Sequence, residues 1–246
     1  MIRVMTADVG PLREEETFRR HFRRMPGDRQ EKILRLRQER DRRLSLGAGI
    51  LLREALKLEG LEIRDLRLER GEHEKPCFPE IRERFQFNLS HSGSRVLCMV
   101  SADADGHAGA VGCDLEQMDA VDLRLARRFF SPEEADRLEA LESREAQREL
   151  FYRLWTLKES FLKATGAGLS GGLAGFTVEL GDDGSAWIDG EAGRGYRLGE
   201  LDLGPDYRAA WCAAGEEAPP RVEEWIIGEA GATPLDGKGK DERHDH

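Results

Sequence analysis

The order of helical and extended patterns occurs twice along this chain, and this repetition limits the fold more than any other feature. Each half begins with a strand pattern and continues through helices that carry one apolar stripe, with further short strand patterns beside them. The turn-forming residues Asp105 and Gly106 lie between the two series. The sequence therefore predicts an N-terminal half over residues 1–106 and a C-terminal half over residues 107–228.

The individual elements follow from the periodicity of apolar residues. Strands are expected at residues 1–9, 63–68, 85–89, 95–101, 111–116, 176–180, 185–189 and 207–212. Helices are expected at residues 14–24, 28–58 and 150–165 and from Ser131 onward, and a break is expected near Gly47. Ser131 and Glu134 form the capping-box pattern of a helix start, whereas Gly60 and Gly166 follow helices as C-terminal caps do.

Charge is distributed unevenly along the chain. The formal net charge is −10, so bulk binding to nucleic acid is not the default interpretation. Residues 18–43 nevertheless contain ten arginines and one lysine against four acidic residues, a local charge of +7. This segment indicates either an anionic ligand or partner, or a pair of solvated arginine-rich helices.

Cysteine usage and hydropathy predict a cytoplasmic protein. The four cysteines form no CxxC pair, which favours buried thiols in a reducing compartment over disulfides or a zinc site. The N-terminus lacks the pattern of a signal peptide, and no run approaches the length of a membrane span. Residues 229–246 are polar and contain several glycines, so we expect a disordered tail there.

The first candidate site is the strand VGCDLE at residues 111–116. Because side chains alternate along a strand, Asp114 and Glu116 project together on the face opposite Val111, Cys113 and Leu115. Two adjacent carboxylates are typical ligands for magnesium, which also takes substrate phosphates. The alternative is an ordinary exposed face on an edge strand.

The second candidate is the helix over residues 150–165. Glu159 and Lys163 are one turn apart and lie roughly opposite the apolar stripe, with Trp155 and Leu162 near them. An acid and a base flanked by large apolar groups indicate a cleft. The alternative is a surface ion pair of small energetic weight.

The third candidate is the segment FNLSHSG at residues 87–93. Ser90, His91 and Ser92 are closely spaced at a strand end, and the backbone N–H groups there could bind an anion. A turn histidine without a ligand is the alternative. The chain has no G-x-S-x-G elbow, so a serine-hydrolase interpretation fails.

Together these segments resemble the Sfp-type 4′-phosphopantetheinyl transferases. The matching motifs are FNLSHSG (residues 87–93), VGCDLE (111–116) followed by RRFFSPEE (127–134), and LWTLKESFLKATGAGLS (154–170), in this order. The resemblance covers roughly residues 1–215. It implies an α+β fold of two similar halves related by pseudo-twofold symmetry, with the active site between them, and a monomeric enzyme.

The resemblance also implies roles for individual residues around the transferred phosphate. Asp114, Glu116 and Glu159 match the magnesium (Mg²⁺) ligands, and Glu159 also matches the base that accepts the serine proton. Lys163 matches the lysine that contacts the reacting phosphate. Phosphoryl transfer depends mainly on positioning and charge neutralisation, which such a set supplies.

The coenzyme A contacts are implied in the same way. Ser90 and His91 match the phosphate site, and Lys75 and Pro76 match the Lys-Pro beside the adenine. Arg43 matches a basic residue on the 3′-phosphate. The family often has glycine before Lys-Pro, where this chain has Glu74, and Arg29 and Lys32 are further candidates for the 3′-phosphate.

The resemblance implies transfer of 4′-phosphopantetheine from coenzyme A to a serine of an apo acyl or peptidyl carrier protein, with adenosine 3′,5′-bisphosphate as the leaving product. Nucleic acid and membranes are not expected partners. A magnesium-dependent nuclease or phosphatase, or a module that binds without turnover, are the competing hypotheses. Carrier docking is expected either at residues 123–130 or at the arginine-rich first helices.

Overall fold

The chain folds into two α+β halves, seen in a computed structural model that describes residues 1–71, 75–168, 172–215 and 219–235. Its α-helices are α1 (Glu15–Phe22), α2 (Gly27–Arg35), α3 (Glu39–Leu58), α4 (Arg124–Phe129), α5 (Pro132–Glu139) and α6 (Arg144–Thr165). Its strands are β1 (Ile2–Asp8), β2 (Glu69–Arg70), β3 (Pro76–Cys77), β4 (Phe85–Ser92), β5 (Arg95–Ala102), β6 (Val111–Gln117), β7 (Val178–Leu180), β8 (Ala186–Ile188), β9 (Tyr196–Leu201), β10 (Tyr207–Ala214), β11 (Val222–Ile227) and β12 (Ala232–Pro234).

The N-terminal half is a five-stranded sheet in the order β12-β11-β1-β5-β4, with α3 against one face. All its neighbouring strands are antiparallel except β1 and β11. Residues of α3 such as Ile50 and Leu51 are fully buried in a core with Met5 and Val96 of the sheet. This burial is what stabilises the long helix, since helices gain most of their stability from packing an apolar face.

The C-terminal half repeats this plan with the antiparallel sheet β6-β10-β9-β8-β7 and the long helix α6. Leu154, Leu157 and Phe161 of α6 are buried in its core, as the stripe in the sequence predicted. Ser131 caps α5 through the predicted capping box with Glu134. Both halves thus combine a five-stranded sheet with one long helix, and the predicted α+β class is confirmed.

The two sheets meet through a third apolar core. Val4, Leu97 and Met99 of the first sheet pack there with residues of the second sheet such as Val111 and Leu115. The contact also brings the edge strand β4 alongside the edge strand β6. Edge strands expose unpaired backbone groups, so this arrangement covers two edges at once.

The C-terminal half ends earlier in the sequence than residue 228, where its boundary was predicted. Strand β11 (Val222–Ile227) pairs in parallel with β1, and β12 (Ala232–Pro234) pairs with β11. The predicted boundary at residue 228 is therefore wrong, because residues 222–235 belong to the N-terminal sheet. The disordered-tail prediction is wrong for residues 229–235, and residues 236–246 lie outside the described part of the chain.

Two local predictions were also wrong. The helical pattern over 28–58 breaks at residues 36–38, not near Gly47, which lies inside α3. Gly47 is needed there for close packing, since an added Cβ would lie 2.5 Å from a methyl group of Val9. Residues 63–68 form a single 3₁₀ turn at Ile63–Asp65 instead of a strand.

The four cysteines are free thiols, and Cys98, Cys113 and Cys212 are buried, as predicted. Burial raises the pKa of Cys113 to about 12, so this thiol stays protonated and behaves as a small apolar side chain. Within the described residues, no helix has the length and apolar character needed to cross a lipid bilayer.

Candidate active site

The strand β6 carries the first pair of candidate ligands. Val111, Cys113 and Leu115 face the core between the sheets, and Asp114 and Glu116 project from the opposite face. Although β6 is an edge strand, Asp114 is only 3% exposed. The predicted alternation is confirmed, and a simple solvent-exposed face is excluded for Asp114.

Helix α6 lies directly on this face of β6 because Gly112 has no side chain. A Cβ at Gly112 would lie 2.1 Å from the carbonyl oxygen of Ser160 and 2.3 Å from the backbone nitrogen of Ala164. This close approach brings Glu159 and Lys163 to the carboxylates of β6. The helix begins at the capping residue Ser143 and ends at Gly166, which adopts the left-handed conformation with φ of 74°.

Lys163 forms the central ion pair of the site. Its Nζ lies 2.6 Å from Oδ1 of Asp114, and it also donates to Oγ of Ser90 at 3.3 Å and to the carbonyl oxygen of Cys113 at 3.2 Å. Burial is the largest single influence on Lys163 and by itself would lower its pKa. The charge and hydrogen bond of Asp114, together with contributions from Cys113 and Glu159, outweigh burial, and the pKa is raised. The ammonium group is therefore charged at neutral pH.

The acidic groups carry more negative charge than Lys163 can balance. Oδ2 of Asp114 is buried and has no hydrogen-bond partner among the residues that the structure describes. Burial raises the pKa of Glu116, and the charge of Asp114 raises it further. Burial also raises the pKa of Glu159. The positive charge of Lys163 partly offsets this increase, and the negative charge of Asp114 adds to it. Buried carboxylates with an unpartnered oxygen are suited to a hard divalent cation.

The carboxylates of Asp114, Glu116 and Glu159 are not arranged as a set of metal ligands in this structure. Across residues 1–71, 75–168, 172–215 and 219–235, no three His, Cys, Asp or Glu side chains converge as metal ligands would. Asp114, Glu116 and Glu159 nevertheless line the same cleft. Side-chain rotation would be needed to bring all three onto one ion, and the unpartnered oxygen of Asp114 is the clearest point of attachment.

The cleft has a volume of about 550 Å³ and lies between the two halves. Its polar wall is formed by β4, β6 and α6, and its apolar wall by Leu89, Phe129 and Trp155. The rings of Phe129 and Trp155 pack edge to face with centroids 5.6 Å apart. A mixed lining of this kind can hold a molecule with both a charged and an apolar part.

The predicted phosphate-site residues Ser90 and His91 both line this cleft but differ in exposure. His91 is exposed, whereas Ser90 is buried and hydrogen-bonded. The hydroxyl of Ser90 lies 3.0 Å from Oδ1 of Asp114 and accepts from the N–H of Leu115 at 3.2 Å. Ser90 is therefore already engaged by the protein, and its predicted contact with coenzyme A stays a prediction.

Lys75 and Pro76 lie in a neighbouring cleft of about 290 Å³, beside the end of α6. Nζ of Lys75 donates to the carbonyl oxygens of Val111 at 2.9 Å and Ala164 at 3.1 Å. Burial lowers the pKa of Lys75 to about 8. Lys75 thus ties the N-terminal half to the C-terminal half, and the departure at Glu74 lies outside the described residues.

The basic residues of α2 and α3 differ in solvent exposure and in their partners. Arg43 is half-buried, with Glu39 3.5 Å away. Arg29 is only 6% exposed and donates inward to the carbonyl oxygen of Ser45. The pKa of His91 is lowered, mainly because the walls of the cleft partly desolvate its imidazole even though the residue as a whole is exposed. The positive charges of Lys163 and Lys32 lower this pKa further.

Two interactions near the site were not predicted from the sequence. Ser92 hydrogen-bonds to Glu116, and the buried Lys158 pairs with Glu134 at 2.7 Å. The alternation of polar residues along β4 was the available signal for Ser92. For Lys158 the sequence offered no comparable signal, because a lysine next to Glu159 on this helix does not by itself indicate a buried ion pair.

The chain matches two family models that together cover most of its length. Residues 110–223 match the model for the 4′-phosphopantetheinyl transferase superfamily, and residues 11–103 match the model for the 4′-phosphopantetheinyl transferase N-terminal region. The match boundaries agree with the two halves seen in the structure up to the start of β11.

Curated relatives of the chain are named as the same enzymes. The chain is 32% identical over 214 residues to 4′-phosphopantetheinyl transferase Sfp from Bacillus subtilis, covering 86% of this chain and 92% of the relative. It is 37% identical over 189 residues to 4′-phosphopantetheinyl transferase psf-1 from Bacillus pumilus, covering 74% and 76%. A Bacillus anthracis holo-(acyl-carrier-protein) synthase in complex with CoA (3′,5′-ADP) matches with a TM-score of 0.38 and 16% identity, covering 44% of this chain and 96% of that one.

The chain thus combines two α+β halves and an acidic cleft between them with a sequence that matches named transferases. The chain belongs to the 4′-phosphopantetheinyl transferase superfamily, and its similarity to the Sfp type extends over most of its length.

Proposed function

We propose that this enzyme transfers the 4′-phosphopantetheine group of coenzyme A to a serine of an apo acyl or peptidyl carrier protein, with Mg²⁺ held by Asp114, Glu116 and Glu159. The observation that carries the metal assignment is the buried, unpartnered Oδ2 of Asp114 in a cleft shared with the other two carboxylates. Bound Mg²⁺ would neutralise charge on the pyrophosphate oxygens of coenzyme A.

The protein's own residues supply the remaining chemistry. Glu159 accepts the proton of the attacking serine, directly or through a water molecule. Lys163 places its positive charge at the phosphate and stabilises the departing adenosine 3′,5′-bisphosphate. The apolar wall of Phe129 and Trp155 excludes water from one side of the reaction.

Coenzyme A would lie along both clefts. The cleft beside Lys75 and Pro76 receives the adenine, while Ser90 and His91 contact phosphate in the larger cleft. Arg43 is the proposed contact for the 3′-phosphate. Since both halves of this path come from one chain, we also propose that the enzyme acts as a monomer.

The carrier protein would dock at residues 123–130, at the mouth of the cleft. Leu125 is exposed there, and Arg128 stacks on the ring of Phe129, which itself lines the cleft. Arg127 is less available because it pairs with Glu139 and Asp136. A surface with exposed arginine and leucine suits an acidic partner with an apolar contact.

One experiment separates this function from its competitors. The protein is incubated with coenzyme A, Mg²⁺ and an apo carrier protein, and the carrier is weighed by mass spectrometry. A mass gain of one phosphopantetheine group supports the proposal. Hydrolysis of coenzyme A without carrier modification would favour a magnesium-dependent phosphatase, and binding without any turnover would favour a binding module.

A further inference from the structure

The two edge strands β4 and β6 are joined through side chains. The side chains of three alternate residues in the second half of β4 each accept a hydrogen bond from a backbone N–H of β6, and we call this set of contacts the polar seam. The bonds, with their lengths, join Asn88 to Cys113 (2.9 Å), Ser90 to Leu115 (3.2 Å) and Ser92 to Gln117 (3.0 Å). The seam therefore fixes the register of β6 against the N-terminal half.

The two serines of the seam also reach the carboxylates. A hydroxyl group has one proton to donate and two lone pairs that accept. Because Ser92 accepts from the N–H of Gln117, its proton is free to point at Oε2 of Glu116, 2.9 Å away. Ser90 makes the equivalent contact with Asp114.

Glu116 depends on its serine more than Asp114 does. Asp114 is held by Lys163 as well as by Ser90. Within the described residues, the Glu116 carboxylate has no ion pair, and its hydrogen bond is the one with Ser92. Without that bond, the only constraint on the rotamer of Glu116 would be packing.

We propose that Ser92 is a positioning residue that orients Glu116 for the metal ion, so that a residue of the N-terminal half controls the metal affinity of the C-terminal half. This inference rests on the proposed function. Hydrogen bonds to metal-bound carboxylates set their orientation, and losing such a partner typically weakens metal affinity by about 10–100-fold.

The test compares three variants and measures binding of Mn²⁺ by electron paramagnetic resonance, with coenzyme A present and no carrier protein. Ser92→Ala removes the bond to Glu116, and Ser92→Thr keeps the hydroxyl. Asn88→Ala is the matched control, since it removes one bond of the seam that touches no carboxylate. The melting temperature of each variant reports whether the fold is intact.

We expect Ser92→Ala to raise the Kd for Mn²⁺ by about 10-fold, and Ser92→Thr to stay near the wild-type value. Asn88→Ala should lower the melting temperature without this loss of affinity. In turnover, Ser92→Ala should need more Mg²⁺ for half-maximal rate and recover kcat at saturating Mg²⁺, with the KM for coenzyme A unchanged.

Unchanged Mn²⁺ affinity in Ser92→Ala would overturn the inference, and so would an equal loss in Asn88→Ala, which would indicate general loosening of the seam. If wild type modifies the carrier while Ser92→Ala behaves identically, the proposed function stands and only the role of Ser92 fails. If wild type modifies no carrier, the proposed function fails and the inference fails with it.

Discussion

The buried pair of Lys158 and Glu134 offers a quantitative test of how the catalytic helix is held. Both side chains are 0% exposed, and Nζ of Lys158 also donates to the carbonyl oxygen of Phe176 at 2.5 Å. Burial lowers the pKa of Lys158, opposed by the charge of Glu134. The carboxylate in turn accepts from the backbone N–H of Val178 at 2.7 Å and of Ser131 at 2.8 Å.

Lys158→Met preserves the length of the side chain but leaves the Glu134 carboxylate buried without its cation. Removing one partner of a buried ion pair typically costs about 3–5 kcal/mol. For a chain of this size, that loss corresponds to a fall of roughly 6–20 °C in Tm. The free energy of unfolding is measured by urea denaturation followed through tryptophan fluorescence.

Two further variants make this result specific. Arg124→Ala breaks a surface pair whose arginine is 91% exposed and should leave Tm close to wild type. Adding Glu134→Gln to Lys158→Met should cost less than the sum of the two single changes, since the residues interact directly. A loss below about 1 kcal/mol in Lys158→Met would refute the reasoning, because it would mean that the carboxylate needs no buried cation.

Four other outcomes are expected. Asp114→Ala should abolish transfer in Mg²⁺ while circular dichroism still reports a folded chain, and full activity would exclude Asp114 as a ligand. Glu159→Gln should lower kcat far more than it weakens coenzyme A binding, and the wild-type kcat should fall as the pH decreases and this carboxylate becomes protonated. Arg43→Ala should lose about 1.5–3 kcal/mol of preference for coenzyme A over its 3′-dephospho form in a binding assay, and a retained preference would place the phosphate elsewhere. Arg124→Glu and Arg128→Glu should raise the KM for the carrier protein with a weaker salt dependence and leave coenzyme A affinity unchanged, whereas unaltered carrier kinetics would exclude residues 123–130 from docking.

Local patterns in the sequence predicted most of the elements around the site. The alternation in VGCDLE placed Asp114 and Glu116 on one face of a strand, and the spacing of Glu159 and Lys163 placed them one turn apart. These predictions succeeded because strand and helix periodicity depend on neighbouring residues. The adjacent carboxylates suggested a magnesium site, but the full set of ligands and the coenzyme A contacts came from the family resemblance, and both stay predictions.

Features that depend on distant parts of the chain were not predictable in the same way. Strand β11 pairs with β1 across more than two hundred residues of sequence, and no local pattern encodes that partner. Gly47 was predicted to break a helix, but α3 continues through it. Val9 occupies the space that a side chain at this position would need. The polar seam likewise became visible only when β4 and β6 were seen side by side.

The return of β11 to the first sheet affects how this protein could be divided. A fragment ending at Gly106 would lack two strands, and its β1 would present an unpaired, largely apolar edge to water. A fragment beginning at residue 107 would carry β11 and β12 without the sheet that they complete. Neither piece should fold by itself, whereas the two mixed together could reassemble, much as an enzyme split for complementation does. Fusions and affinity tags are therefore better attached beyond residue 235 than inserted at the junction of the halves.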